Sequence, residues 1–272
     1  MKKHISTKLK RISYGLVQCL TLAGIFSVGT PVFAQSQHEI VGGEARERRE
    51  LSTKVVNVVM SGPMQLTIKM QPKPDIYVNG DPKLVDKVTT RIEGNTLYVG
   101  TRGIFVAVGK TQPITVELNL PSLERLQLIG SGNTLVQNLK GEKLDVDARG
   151  SGNLMLDADY AMLSLRTTGS GNMQIRLPNS ETVTVYSHGS GNMILDGQTK
   201  FLQSELAGSG SMNALGLRST QAKVRLAGSG DMTVTVNDEV KAVTTGSGNL
   251  HIHGKPARRT IQHTGSSQTI WH

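Results

Sequence analysis

The sequence predicts an all-β protein, a parallel β-helix (a solenoid of about 19–20-residue turns) with a short helix in its N-terminal part. Three observations carry that prediction. A glycine-rich phrase recurs, as GSGNLML at 150–156, GSGNMQIR at 169–176 and GSGNMIL at 189–195. Its first glycine falls at Gly130, Gly150, Gly169, Gly189, Gly208, Gly228, Gly246 and Gly265, a spacing of 18 to 20 residues. Such a period marks stacked repeats in which each repeat is one coil of the chain. Both flanks of the glycine also alternate. Four places after it stand Thr134, Leu154, Met173, Met193, Met212, Met232, Leu250 and Thr269, and six places after it Val136, Leu156, Ile175, Leu195, Ala214, Val234, Ile252 and Trp271. Four places before it stand Leu126, Val146, Leu165, Val185, Ser204, Val224, Ala242 and Ile261. A period of two on each side means two strands per coil, each sending alternate side chains inward. Finally, like falls on like from coil to coil, most plainly in the methionines.

Taken in order, residues 1–34 read as a signal peptide: a basic start, the apolar stretch YGLVQCLTLAGIFSVG, and Val32 and Ala34 at the small-residue positions of a cleavage site before Gln35. Cys19, the only cysteine, lies there, so the mature chain is expected to hold no disulfide. Five of the net +9 charges also fall there with no acid, which leaves +4 for the rest. No Lys/Arg block stands out, so nucleic acid is not an expected partner. After cleavage no segment is expected to span a membrane. Residues 35–50 are polar and charged and read as a flexible leader. IVGG at 40–43 resembles the mature start of trypsin-like proteases, without the downstream nucleophile context such an enzyme needs.

The solenoid domain is assigned to 51–272, with degenerate turns and a capping helix in 51–121 and regular turns in 122–272. In VVNVVMSGPMQLTIKM, aligning Met60–Met64 on Gly169–Met173 puts Val56, Val58, Met64 and Leu66 in the apolar columns. Asp81 suits an N-cap and Pro82 the first helical position, with Leu84, Val85, Val88 and Ile92 as the apolar face. Glu93–Asn95 stops that helix before strands at 96–100 and 113–121. A solenoid exposes its core at both ends unless something covers it; the helical segment is placed at one end and Trp271 at the other.

Each GSGN phrase is read as the corner between two strands, where positive φ and close approach of successive coils call for glycine. Asn133, Asn153, Asn172 and Asn192, followed by Ser211, Asp231 and Asn249, stack so that asparagine amides can pair from coil to coil. A phosphate cradle is the rival, but no Gly-Lys-Ser/Thr follows, and eight cradles serve no purpose. Only Asp231 adds an acid to this column, too few for a calcium repeat.

A degenerate SG turn, the stretch GDPKLVDKV and tandem GSGN/GSGD turns together resemble the bacterial head GIN domain family of autotransporter adhesin heads, over roughly residues 51–270. The resemblance implies a β-helical fold in exported envelope proteins, with no established catalytic residues or ligand.

Candidate chemistry is sparse. Asp157 and Asp196 share an outward column, two coils and about 9.6 Å apart, a separation that suits an inverting carboxylate pair. Arg176 stands between them and is expected to pair with both, as a surface ion ladder; Asp147–Arg166 and Glu205–Arg225 are expected to repeat the device. The methionine column is inward and reads as core, not a copper site. His251, His253, His263 and His272 form the one histidine cluster, with His253 and His272 one coil apart, and frayed surface histidines are the reading preferred to a metal. Of the exported chain's aromatics, Tyr186 falls in an outward column, which argues against a deep sugar site. No catalytic residue, metal ligand or cofactor is assigned, and the binding residues stay unassigned. The expectation is an exported, non-catalytic, adhesin-like interaction module of the cell envelope, in the periplasm or at the cell surface. Its partner is an envelope protein or polysaccharide, with homo-oligomers left open. The alternative is a polysaccharide-active lyase or hydrolase.

Overall fold

The computed structural model describes residues 37–41, 44–103 and 113–272, and the signal peptide expected at 1–34 lies outside them. The chain opens with β1 (Gln37–Val41) and β2 (Glu44–Arg49), an antiparallel pair. The expected flexible leader is therefore strand over most of its length. Then come β3 (Asn57–Ser61), β4 (Gln65–Met70), β5 (Asp75–Gly80), the single helical turn α1 (Pro82–Val85), β6 (Val88–Glu93), β7 (Thr96–Thr101), β8 (Thr115–Leu120) and β9 (Arg125–Gly130). Six long strands follow: β10 (Thr134–Gly150), β11 (Leu154–Gly169), β12 (Met173–Gly189), β13 (Met193–Gly208), β14 (Met212–Gly228) and β15 (Met232–Gly246). The chain closes with β16 (Leu250–His253), β17 (Arg258–Gly265) and β18 (Thr269–Trp271).

Each long strand leaves one glycine corner, bends midway and arrives at the next, so each pairs in parallel with the strand a full coil later. The fold is the parallel β-solenoid the repeat predicts. Met173, Met193, Met212 and Met232 are successive register partners and all are buried. The columns four and six places after the glycine are buried from the first corner through Leu250 and Ile252, and only the last coil lets its members reach solvent.

Below the first regular corner, layer order departs from chain order. Val58 of β3 lies between Leu97 of β7 and Leu126 of β9, all strands parallel. Leu66 of β4 likewise lies between Val116 of β8 and Thr134 of β10. The coil made first by the chain is thus inserted between two made later. Beneath it, β6 runs antiparallel to β7, and β5 antiparallel to β8. β2 continues the stack on β5, and α1 packs against both. Antiparallel strands end the parallel stack and close this end of the core.

Two expectations need correction here. Gly62, not Met60, sits under Gly130, so Leu66 and Ile68 take the buried columns after the corner, while Val58 and Met60 take those before it. Val56 is only half-buried. The expected register is off by two residues; with a side-chain period of two, such a slip leaves every residue on its correct face, so patterning alone does not detect it. The helix also ends at Val85. Asp81 caps it, its carboxylate accepting from Lys83 N at 2.9 Å. The β-branched run Val88-Thr89-Thr90 then turns the chain into strand, Ile92 lies 39% exposed, and Gly94 turns the β6–β7 hairpin at φ +59°.

Candidate interaction surface

Outward residues of a parallel stack form columns with one side chain per layer, so the surface is a set of ladders set by the repeat. Beside the corners runs the asparagine ladder, built differently from expectation. Asn133 Oδ1 accepts from both the backbone and side-chain nitrogens of Asn153, each at 3.1 Å. Above that, each side-chain oxygen accepts the backbone N–H one layer on: Asn153 from Asn172, Asn172 from Asn192, Asn192 from Ser211, Ser211 from Asp231 and Asp231 from Asn249, at 2.8–3.2 Å. Only an acceptor oxygen is required, which is why serine and aspartate fit a column of asparagines.

Next to this ladder lies an apolar stripe. Leu135, Met155 and Ile194 point outward, the last two 49% and 45% exposed. With Gln174 and the asparagines they line a groove of about 630 Å³ whose lining holds no charged side chain.

The charged ladders follow. Arg176 Nε lies 3.5 Å from Asp157. Asp196 is the register partner of Arg176 on the other side but forms no ion pair with it, so half of the expected ladder is made. Glu205–Arg225 is present at 3.7 Å. The expected Asp147–Arg166 pair is not made, because Arg149 on Asp147's own strand takes that carboxylate at 2.6 Å. Two unforeseen pairs set their acids lower: hydrogen bonds from Lys200 and Lys241 hold Glu181 and Glu239 below the usual carboxylate range, and Arg258 adds to the second.

The structure gathers three of the four histidines. His251 Nδ1 and His272 Nε2 are 3.2 Å apart, and His253 stacks on His272 with centroids 4.3 Å apart. Partial burial and the neighbouring His272 and His251 hold His253 below the usual imidazole range. His263 stands apart, bonded to Thr244 Oγ1 at 2.7 Å. Among the described residues no three His, Cys, Asp or Glu side chains are set to hold one ion.

On the strands that precede the corners, Tyr186 is outward as expected, and so is Phe201, 49% exposed, which the column reading passed over. Phe201 lies seven places before Gly208, outside the columns compared; its signal was an aromatic between Thr182 and Gln221 in a column of outward parity.

A capped parallel β-solenoid with laddered faces defines the class. The chain belongs to the family described as "Putative auto-transporter adhesin, head GIN domain", whose model matches residues 56–256. Among solved structures, one from Parabacteroides distasonis, a "Putative lipid binding protein", is 23% identical with TM-score 0.76, covering 84% of this chain and 97% of that one. A "putative adhesin" from Parabacteroides merdae is 21% identical with TM-score 0.73 and the same coverage. Both share the fold. No curated protein matches the chain. No helix among the described residues is long and apolar enough to cross a membrane.

Proposed function

We propose that the protein is an exported, non-catalytic, adhesin-like interaction module of the bacterial envelope that presents its laddered faces to an envelope protein or polysaccharide. The observation that carries this reading is how the outward acids are arranged. Asp157, Glu181, Glu205 and Glu239 each lie against a Lys or Arg, so the unpaired Asp196 has no second free carboxylate in its column, whereas hydrolysis or lyase chemistry needs convergent acids with a free base or a metal. Extended grooves and neutralised ladders suit broad contact. Family membership and the signal-like residues 1–34 support export, to the periplasm or the cell surface. The test is retention of immobilised protein by intact envelope fractions, paired with a product-release assay on acidic polysaccharides. Retention without product is expected. Absence of retention overturns the reading; product that disappears in Asp157→Ala or Asp196→Ala replaces it with the enzyme.

The uncharged groove favours a second reading, capture of an apolar chain along Leu135, Met155 and Ile194. The Parabacteroides distasonis relative described as a "Putative lipid binding protein" points the same way. Displacement of a fluorescent fatty acid, lost in Met155→Lys, tests it.

A further inference from the structure

The strands that precede the corners carry three outward columns. The middle one, with Thr184, Gln203, Lys223 and Lys241, forms a floor. One wall holds Arg166, Tyr186, Glu205 and Arg225, and the other Thr182, Phe201, Gln221 and Glu239. Two cavities of about 360 and 350 Å³ lie here and share Gln203, Lys223 and Lys241, so they form one groove. Tyr186 and Phe201 rise from opposite walls, four residues along a strand and one layer apart, about 14 Å. Gln203 donates to the Tyr186 hydroxyl at 2.9 Å and fixes that ring.

The charges in the groove are unequal. Glu205 is matched by Arg225, and Glu239 by Lys241 and Arg258. Lys223 and Arg166 have no carboxylate partner among the described residues; Arg149 occupies the acid expected for Arg166, which lies instead 5.7 Å over the Tyr186 ring. The groove therefore combines aromatic walls, side-chain amides and two cations without counter-charges, Lys223 in its lining and Arg166 at its rim beside Tyr186. A sugar ring can lay its C–H face on an aromatic wall, its hydroxyls can bond the amides, and a ring carboxylate can pair with the free cations.

We infer that this groove binds an acidic glycan, a chain of uronate-bearing sugars. The inference rests on the interaction-module reading and names its partner class. A neutral glycan leaves Lys223 and Arg166 unanswered, and single-stranded nucleic acid, whose bases also stack on aromatic side chains, is the rival the test includes.

The test is binding of the full chain, exported and immobilised, to polygalacturonate, dextran and a single-stranded DNA oligonucleotide at moderate salt. Polygalacturonate is expected to bind, and dextran and DNA are not. Lys223→Glu and Arg166→Glu should each weaken binding about tenfold or more, Tyr186→Ala and Phe201→Ala should also weaken it, and Lys69→Glu on another face should leave it unchanged. All these side chains reach solvent, so circular dichroism should stay constant. Equal binding of dextran or DNA, or an equal loss in Lys69→Glu, overturns the inference. Retention by envelope fractions without polygalacturonate binding sinks this inference alone, while loss of both sinks the broader reading as well.

Discussion

A Cβ placed on Gly169 would collide with the carbonyl oxygen of Gly150 one layer below, on a backbone already at φ +132°. That oxygen accepts the N–H of Ser170, so the layers have no room to part without breaking the corner. Gly169→Ala should cost about 1–3 kcal/mol from the backbone alone, with the collision added, and lower the urea midpoint clearly. Gly94→Asn is the control: nothing lies within 4 Å of a Cβ there, and asparagine tolerates left-handed geometry, so its midpoint should barely move. A second residue-scale effect concerns Tyr160, which is buried and donates to the Leu123 carbonyl at 2.7 Å. Burial, with the charge of Glu124, pushes its hydroxyl up from 10.0 to about 12. Because the folded value is the higher one, the contribution is whole below about pH 10 and drains away as pH rises through 12. The melting temperature should therefore fall across that window, and less steeply in Tyr160→Phe, which loses about 1 kcal/mol at neutral pH by stranding the carbonyl. Parallel curves would exclude Tyr160 as the titrating group.

The two ends of the stack show how an element ends a solenoid. At the first end, antiparallel β5, β2 and α1 close the core. At the other, β17 carries Arg259, Ile261 and His263 in the register that elsewhere holds Val240, Ala242 and Thr244. Arg259 lies 4.3 Å over the Trp271 ring, and His263 is bonded to Thr244. Polar residues at inward positions of an outermost strand keep it from templating another strand. The double variant Arg259→Leu/His263→Leu should keep the fold but self-associate, seen by sedimentation velocity as concentration-dependent dimers; a monomer at high concentration would refute this role. Of the residues at this end Trp271 alone was legible as a cap, because His263 read as a frayed surface histidine and Arg259 puts a cation where the layer beneath holds Val240. Regular coils were legible for the opposite reason, since identical neighbours at fixed spacing leave one way to stack. The ladders were less so. Matching residues across layers anticipated Asp157–Arg176 and Glu205–Arg225 but not Arg149, whose claim on Asp147 comes from two places along the same strand. The groove at Tyr186 was missed for that reason, because its free arginine had been assigned a partner.

At the scale of the molecule, stability in a solenoid is close to a sum of neighbouring-layer contacts, but only where chain order and layer order coincide. In the regular part they do. Deleting residues 190–208 joins Gly189 to Ser209, corner to equivalent corner, and brings Met173 onto Met212 in the same column. The shortened protein should fold with an unchanged strand signal and a rod shorter by about 4.8 Å, at the cost of one layer's contacts and a few degrees in melting temperature. Near the base the orders differ, because β3 and β4 supply the surface on which both earlier-stacked β7–β8 and later-stacked β9–β10 rest. Deleting residues 57–70 removes less chain than that, yet it leaves Leu97, Val116, Leu126 and Thr134 without the partners that bury them. That variant should fail to give a cooperative melt. Circular dichroism and calorimetry on the two deletions therefore discriminate: if both fold equally well, the interleaved base is not what holds the capped end to the coils, and if neither folds, the coils are not the independent layers their repeat implies.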